Sequence, residues 1–301
     1  MKKRVLSLFL AAVTAISVFA VPTYATNDEV VESQEKGNIG TFSAEDITFS
    51  NEKANAVDRI MEIRTNYLNN QGEISDQERT ELESLLSVYY PDASIDDYLP
   101  NLSASTRSNP GDYQTLNLYL PGIVQETGYY CAPASGYAVL NGRGIYVSQS
   151  ELAGKMGTTT SGTNLGNVAP ALNKYNGRNG NKFHYATMQG YQLSGESMTA
   201  QQWAMKFTNA AISTLIGNYG VIYDVHQVAG SKNYLSGYGS STEGAYYSMY
   251  HYVAGEGFDS SDPSRRKCYY YDSNNKDLGN HHMVVTFQVM AVLCNDRGLI
   301  Y

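Results

Sequence analysis

The hydrophobic pattern changes period near Gly220, and that change limits the folds open to this chain. Before it, apolar residues recur at helical spacing. The clearest set is Trp203, Phe207, Ala211 and Leu215, which predicts a helix over 200–216 with Gly217 near its end. After it come four strand-like runs, at 221–228, 250–258, 267–272 and 283–293. Helices first and an antiparallel sheet second is the order of an α+β fold. The Gly-, Ser- and Tyr-rich tract 237–250 reads as a loop between two of these strands.

Upstream, the elements are marked more by punctuation than by period. Residues 26–42 carry no pattern and read as disordered, whereas Ile47, Val57, Ile60, Ile63 and Leu68 predict a helix in the later part of 43–69. Ser75 and Glu78 form a capping box ahead of Leu82, Leu85 and Leu86, and Pro91 stops that helix. The stretch 100–110 is rich in Ser, Asn and Pro and reads as a linker. Beyond it, 116–120 predicts a short strand, and 150–156 and 165–175 two short helices.

Charge divides the chain at the same place. Residues 26–111 hold 17 acidic and 6 basic side chains, and residues 112–301 hold 12 of each. An acidic front piece is a solvated helical segment or a linker. Neither part carries the basic patch that nucleic acid would require. At the start, Lys2, Lys3 and Arg4 precede a mostly apolar run over 5–21 and the small-residue site Thr23-Tyr24-Ala25, the pattern of a cleaved export signal. The expected organisation is therefore a signal peptide over 1–25, an acidic helical pro-region or accessory segment with linker over 26–105, and the main domain over 106–301. The product would be secreted or cell-surface associated, with no stable membrane insertion after the signal is removed.

Three cysteines remain: Cys131, Cys268 and Cys294. The last two could pair in an oxidising exterior or stay as buried thiols, and either outcome leaves Cys131 over. Cys131 heads a short amphipathic helix, with Pro133 in the first turn and Asn141-Gly142 as its stop. A helix N-terminus presents unpaired N–H groups and a partial positive charge, which favours an anion there. Gln125, six positions earlier, could offer an amide N–H to an oxyanion.

A thiolate nucleophile needs an imidazole partner, and that imidazole needs a third group to hold its ring. His251 opens the strand whose hairpin partner ends at Asp272. Centring the hairpin on 259–266 places Val253 opposite Asp272, so that His251 and Asp272 are diagonal neighbours on one face. A slip of one residue would separate them. The other histidines have less to offer. His226, two residues from Asp224, reads as part of a core strand; His281 and His282 follow the turn Gly279-Asn280; His184 has no evident acidic partner. His281 and His282 lack compact zinc-ligand spacing to Cys268 and Cys294, so neither metal nor cofactor is expected.

These residues carry a resemblance. Gln125, Cys131-Ala132-Pro133-Ala134, then His251-Tyr252-Val253 with Gly255, Gly257, Phe258 and Asp259, then Tyr271-Asp272, together resemble the C39-like (bacteriocin-processing-type) family of papain-fold cysteine peptidases. The similarity extends over 112–301, including Leu172-Asn173 and 297–301. It implies a papain-like α+β fold of a bacterial exported enzyme, with a helical lobe carrying the cysteine and an antiparallel sheet lobe carrying histidine and aspartate. Cys131 would be the nucleophile, His251 the general base and acid, Asp272 the orienter and Gln125 the oxyanion-hole donor. Substrates would be peptides or proteins, cell-wall peptides among them. Ala132 stands where the family often has glycine, and the long Tyr-rich tract 231–250 would reshape the cleft. A non-enzymatic reading, an exported binding or adhesion module using the Tyr/Gly-rich loops, stays open at this level.

Overall fold

The computed structural model describes residues 39–100, 115–195, 197–274 and 281–301. The expected signal peptide, most of the segment read as disordered, the linker beyond Pro100 and the Gly279-Asn280 turn lie outside these residues. Disorder was expected as far as residue 42, but order begins earlier: the Ile39 carbonyl already accepts a bond from Gly166 N–H, 2.9 Å.

Ser43 caps α1 (Ala44–Asn69), which is longer than its apolar pattern predicted, and the expected capping box of Ser75 and Glu78 opens α2 (Asp76–Tyr89). Ser94 repeats that device at α3 (Ile95–Tyr98). Strand β1 (Thr115–Asn117) is shorter than expected, because Tyr119 turns left-handed at φ 48° and gives its N–H to Asn117 Oδ1. Four helices follow with one strand between them: α4 (Cys131–Asn141), α5 (Gln149–Met156), α6 (Leu165–Asn173), β2 (Thr187–Gln189) and the single turn α7 (Tyr191–Ser194). Next come α8 (Ala200–Ile216) and β3 (Val221–Gln227), then the small hairpin β4 (Gly239–Ser240) and β5 (Gly244–Ala245) inside the tract read as loop. The chain closes with β6 (Met249–Asp259), β7 (Lys267–Tyr271), β8 (His282–Thr286), α9 (Phe287–Leu293) and β9 (Gly298–Ile300).

The apolar run 283–293 is therefore not one strand. The Thr286 hydroxyl accepts from Val289 N–H and starts a helix there. A short buried run has no period that separates strand from helix.

The main sheet runs β2-β9-β3-β6-β7-β8, with β1 added on β6, and every pair is antiparallel. β6 is its axis, buried along nearly its whole length and gripped by β3, β1 and β7. Two glycines allow the neighbours that close. A Cβ on Gly255 would fall 2.5 Å from the Tyr223 ring, and one on Gly257 2.3 Å from the Leu116 carbonyl oxygen.

The acidic helices share this core. α1 packs on α8, and its Lys53 is wholly buried, giving Nζ bonds to the carbonyls of His184 (2.8 Å) and Tyr301 (2.9 Å) beneath the Phe183 ring, 3.9 Å away. Burial lowers the Lys53 pKa, and a buried amine persists only when such partners replace water. Tyr98 gives its hydroxyl to the Ser213 carbonyl, 2.6 Å, and Tyr90 stacks on Phe183. No helix among the described residues is long and apolar enough to cross a membrane.

Candidate active site

Cys131 is the first residue of α4, as the sequence predicts, and Gly142 follows its last. The residue before it, Tyr130, provides no side-chain cap, so no side chain competes for the first-turn amides. The thiol is buried, and Pro133 occupies the turn without a donor to satisfy.

His251 comes from β6 and Asp272 from the residue after β7. Their side chains meet at 2.8 Å, His251 Nε2 to Asp272 Oδ1, both almost fully buried. The Cys131 side chain also lies against the imidazole, and with Nε2 taken by Asp272 the nitrogen left to face it is Nδ1. Burial alone would lower the pKa of His251. The Asp272 charge and hydrogen bond, with the Cys131 contact, outweigh it and push the ring up to about 10. Asp272 and Cys131 thus both favour the protonated imidazole.

The strand continuation that delivers Asp272 also fixes it. Asn274 N–H bonds Asp272 Oδ1 at 2.8 Å in a local Asx turn, and the Asp272 N–H donates to the His281 carbonyl, 2.8 Å. The Asp-x-Asn spacing could have signalled this turn in the sequence. Gln125 is tied to the same place. Its N–H donates to the Ser273 carbonyl (3.0 Å) and its Oε1 accepts from the Ser273 hydroxyl (3.2 Å). One Nε2 hydrogen goes to the Thr127 carbonyl, 2.9 Å, which leaves a second for a ligand. The buried Gln149 holds the preceding turn by bonding Val124 O and Glu126 N. Neither Ser273 nor Gln149 has a sequence signal that marks it.

The remaining candidates go elsewhere. His226 does not pair with Asp224: its Nδ1 lies 2.5 Å from Asp296 Oδ2, while buried Asp224 takes Arg297 at 2.9 Å. Arg297 reaches it with two nitrogens, Nε at 3.1 Å and Nη2 at 2.9 Å, and brings a permanent charge to the buried carboxylate. His282 is not a free surface histidine, because it bonds the buried Glu256 carboxylate at 2.8 Å. His281 Nδ1 sits 2.7 Å from the Asp272 carbonyl oxygen. Cys268 and Cys294 are free buried thiols, and burial pushes Cys268 up to about 12. Among the described residues no group of three His, Cys, Asp or Glu could hold a metal.

The sequence profile of the Peptidase_C39 like family matches residues 117–293. No curated protein matches the chain. A crystal structure of a C39-like peptidase from Bacillus anthracis is similar over 62% of this chain and 96% of that one, at 11% identity and a TM-score of 0.39.

Proposed function

Since the chain belongs to the Peptidase_C39 like family, and so to a family of peptidases, we propose that it is an exported cysteine peptidase hydrolysing peptide or amide bonds at Cys131. The observation that carries the reading is the buried series Cys131, His251, Asp272, assembled from a helix start and two neighbouring strands. The helical piece supplies the nucleophile and the sheet supplies base and orienter, a papain-like division of labour.

In this mechanism the Cys131 proton rests on His251, and the sulfur so freed attacks the substrate carbonyl carbon as the carbonyl π electrons move to oxygen. The Cys131 N–H and the second Nε2 hydrogen of Gln125 receive that oxyanion; losing one such donor costs about 3–4 kcal/mol of barrier. The intermediate collapses as His251 gives its proton to the leaving amine, and a thioester remains. His251 then takes a proton from water, whose oxygen attacks the thioester and releases the acid. Asp272 keeps the ring aimed throughout.

The acidic segment reads best as a retained accessory part of the enzyme, not as a dissociating pro-region. Lys53, Tyr90 and Tyr98 are buried in the core shared with α8 and Tyr301, and separating them would break the Lys53 hydrogen bonds and expose several rings.

Cys131→Ala is the test of the site, run on casein and on purified muropeptides. Turnover should fall at least about 10³-fold, as loss of a nucleophile does. Iodoacetamide should label Cys131 ahead of Cys268 and Cys294. Full hydrolysis by the variant would end the proposal, and the better of the two substrates would show whether wall peptides are the target.

A further inference from the structure

The tract between β3 and β6 is pinned to the sheet in a way that aims one tyrosine at the triad. Gln227, buried at the end of β3, accepts from Leu235 N–H (3.0 Å) and donates to the Tyr247 (3.1 Å) and Tyr238 (3.4 Å) carbonyls. Ser236 N–H reaches the Tyr270 hydroxyl, 2.9 Å, and the Tyr246 N–H closes on the Tyr238 carbonyl, 2.9 Å. Tyr238 is thus held from both sides by backbone bonds. Its side chain is buried, with the ring centroid 6.4 Å from that of His251. Its hydroxyl lies 3.5 Å from the Asn274 carbonyl and beside the Asp272 carboxylate.

Asp272 has a use for that hydroxyl. Oδ1 already accepts from His251 Nε2 and from Asn274 N–H. Oδ2 is buried and has no hydrogen-bond partner among the described residues. Leaving a buried carboxylate oxygen unserved is costly, and a nearby O–H donates more strongly to a carboxylate than to a neutral carbonyl.

We propose that Tyr238 is a positioning residue of the triad, its hydroxyl turning from the Asn274 carbonyl to serve Asp272 Oδ2 so that the carboxylate plane, and with it the His251 ring, stays aimed at Cys131. This rests on the peptidase reading above. The role falls to a residue of the tract 231–250 that the sequence marked only as long and Tyr-rich. That tract is therefore part of the catalytic support and not merely a rim of the cleft.

Tyr238→Phe keeps the ring and removes the donor. Its kcat should fall roughly tenfold with KM unchanged, the effect of one hydrogen bond to a charged group. The basic limb of the pH–rate curve, and of Cys131 alkylation, should move to lower pH, because a less firmly held Asp272 stabilises the imidazolium less. A residue with only a structural role would change the melting temperature and leave that limb in place. A double cycle with Asp272→Asn gives a second readout: if Tyr238 acts through Asp272, removing the hydroxyl costs little more in the Asn background. Unchanged kcat and pH limb in Tyr238→Phe, or full additivity in the cycle, would overturn the proposal. Cys131→Ala separates the two readings. An active Cys131→Ala removes the peptidase assignment itself, whereas an inactive one beside a wild-type-like Tyr238→Phe removes only the role of Tyr238.

Discussion

Glu256 is an extra residue in β6, and its bulge turns His251 toward Asp272. On the loop side of it Phe258 pairs with Cys268 and Asp259 with Lys267; on the site side Gly255 pairs with Tyr270 and Ala254 with Tyr271. Carrying the loop-side register straight through would set Asp272 opposite Ala254, on the sheet face away from His251. One residue of slip flips every side chain to the other face. Bulges next to functional sites re-aim side chains in this way. The Glu256 carboxylate is itself held by His282 and by Leu120 N–H at 3.1 Å, so the bulge is anchored.

Deleting Glu256 should therefore remove activity by at least about 10³-fold, the scale of losing a triad partner. Glu256→Gln, which keeps the bulge, should retain most of it. Turnover and thermal melts of the two variants check this. A deletion variant that stays folded and active would mean that the bulge does not set the register.

The pH behaviour follows from His251. Its pKa is raised in the fold to about 10 from an ordinary value of 6.5, so the fold favours the protonated ring. The stability this contributes is complete below about pH 6.5, shrinks as pH rises toward 10 and is gone above it, at roughly 1.4 kcal/mol per pH unit within that window. In the proposed mechanism kcat/KM should hold through neutrality and fall with a basic limb near pH 10, where His251 would lose the proton owed to the leaving amine. Asp272→Asn should pull that limb down. A wild-type limb near 6.5 would show that the ring is not held as a cation.

The same hairpin shows how far the sequence could be read. Centring it on 259–266 brought His251 beside Asp272, yet the loop proper is 260–266 and the first pairs are one residue out of that register. The bulge restores it, and nothing in Gly255-Glu256-Gly257 announced a bulge beyond the two glycines. Cys131 at a helix start was legible because caps and stops are local chemistry. Ser273, Tyr238 and Gln149 were not, because their roles depend on which distant backbone groups they meet. The Lys53 contact escaped for the same reason: it joins residues 248 positions apart. The strand-to-helix switch at Thr286 failed on period, since four strand residues and seven helical ones share the run 283–293.

The shared core makes one more outcome expected. A specific protease site placed between Pro100 and Thr115 allows the chain to be cut after folding, with α1 to α3 on one fragment and the triad on the other. The two should stay together through gel filtration, because parting them strips Lys53 of both carbonyl partners and opens the contacts of Tyr98 with Ser213 and of Tyr90 with Phe183. Exposing those rings costs roughly 25 cal/mol per Å² of apolar area returned to water. Hydrolytic activity should persist in the cut complex. Lys53→Ala should loosen it, which would appear as a lower melting temperature and as partial release of the N-terminal fragment. If the fragment instead separates freely and activity rises on its loss, the segment 26–105 is an inhibitory pro-region and the accessory reading falls.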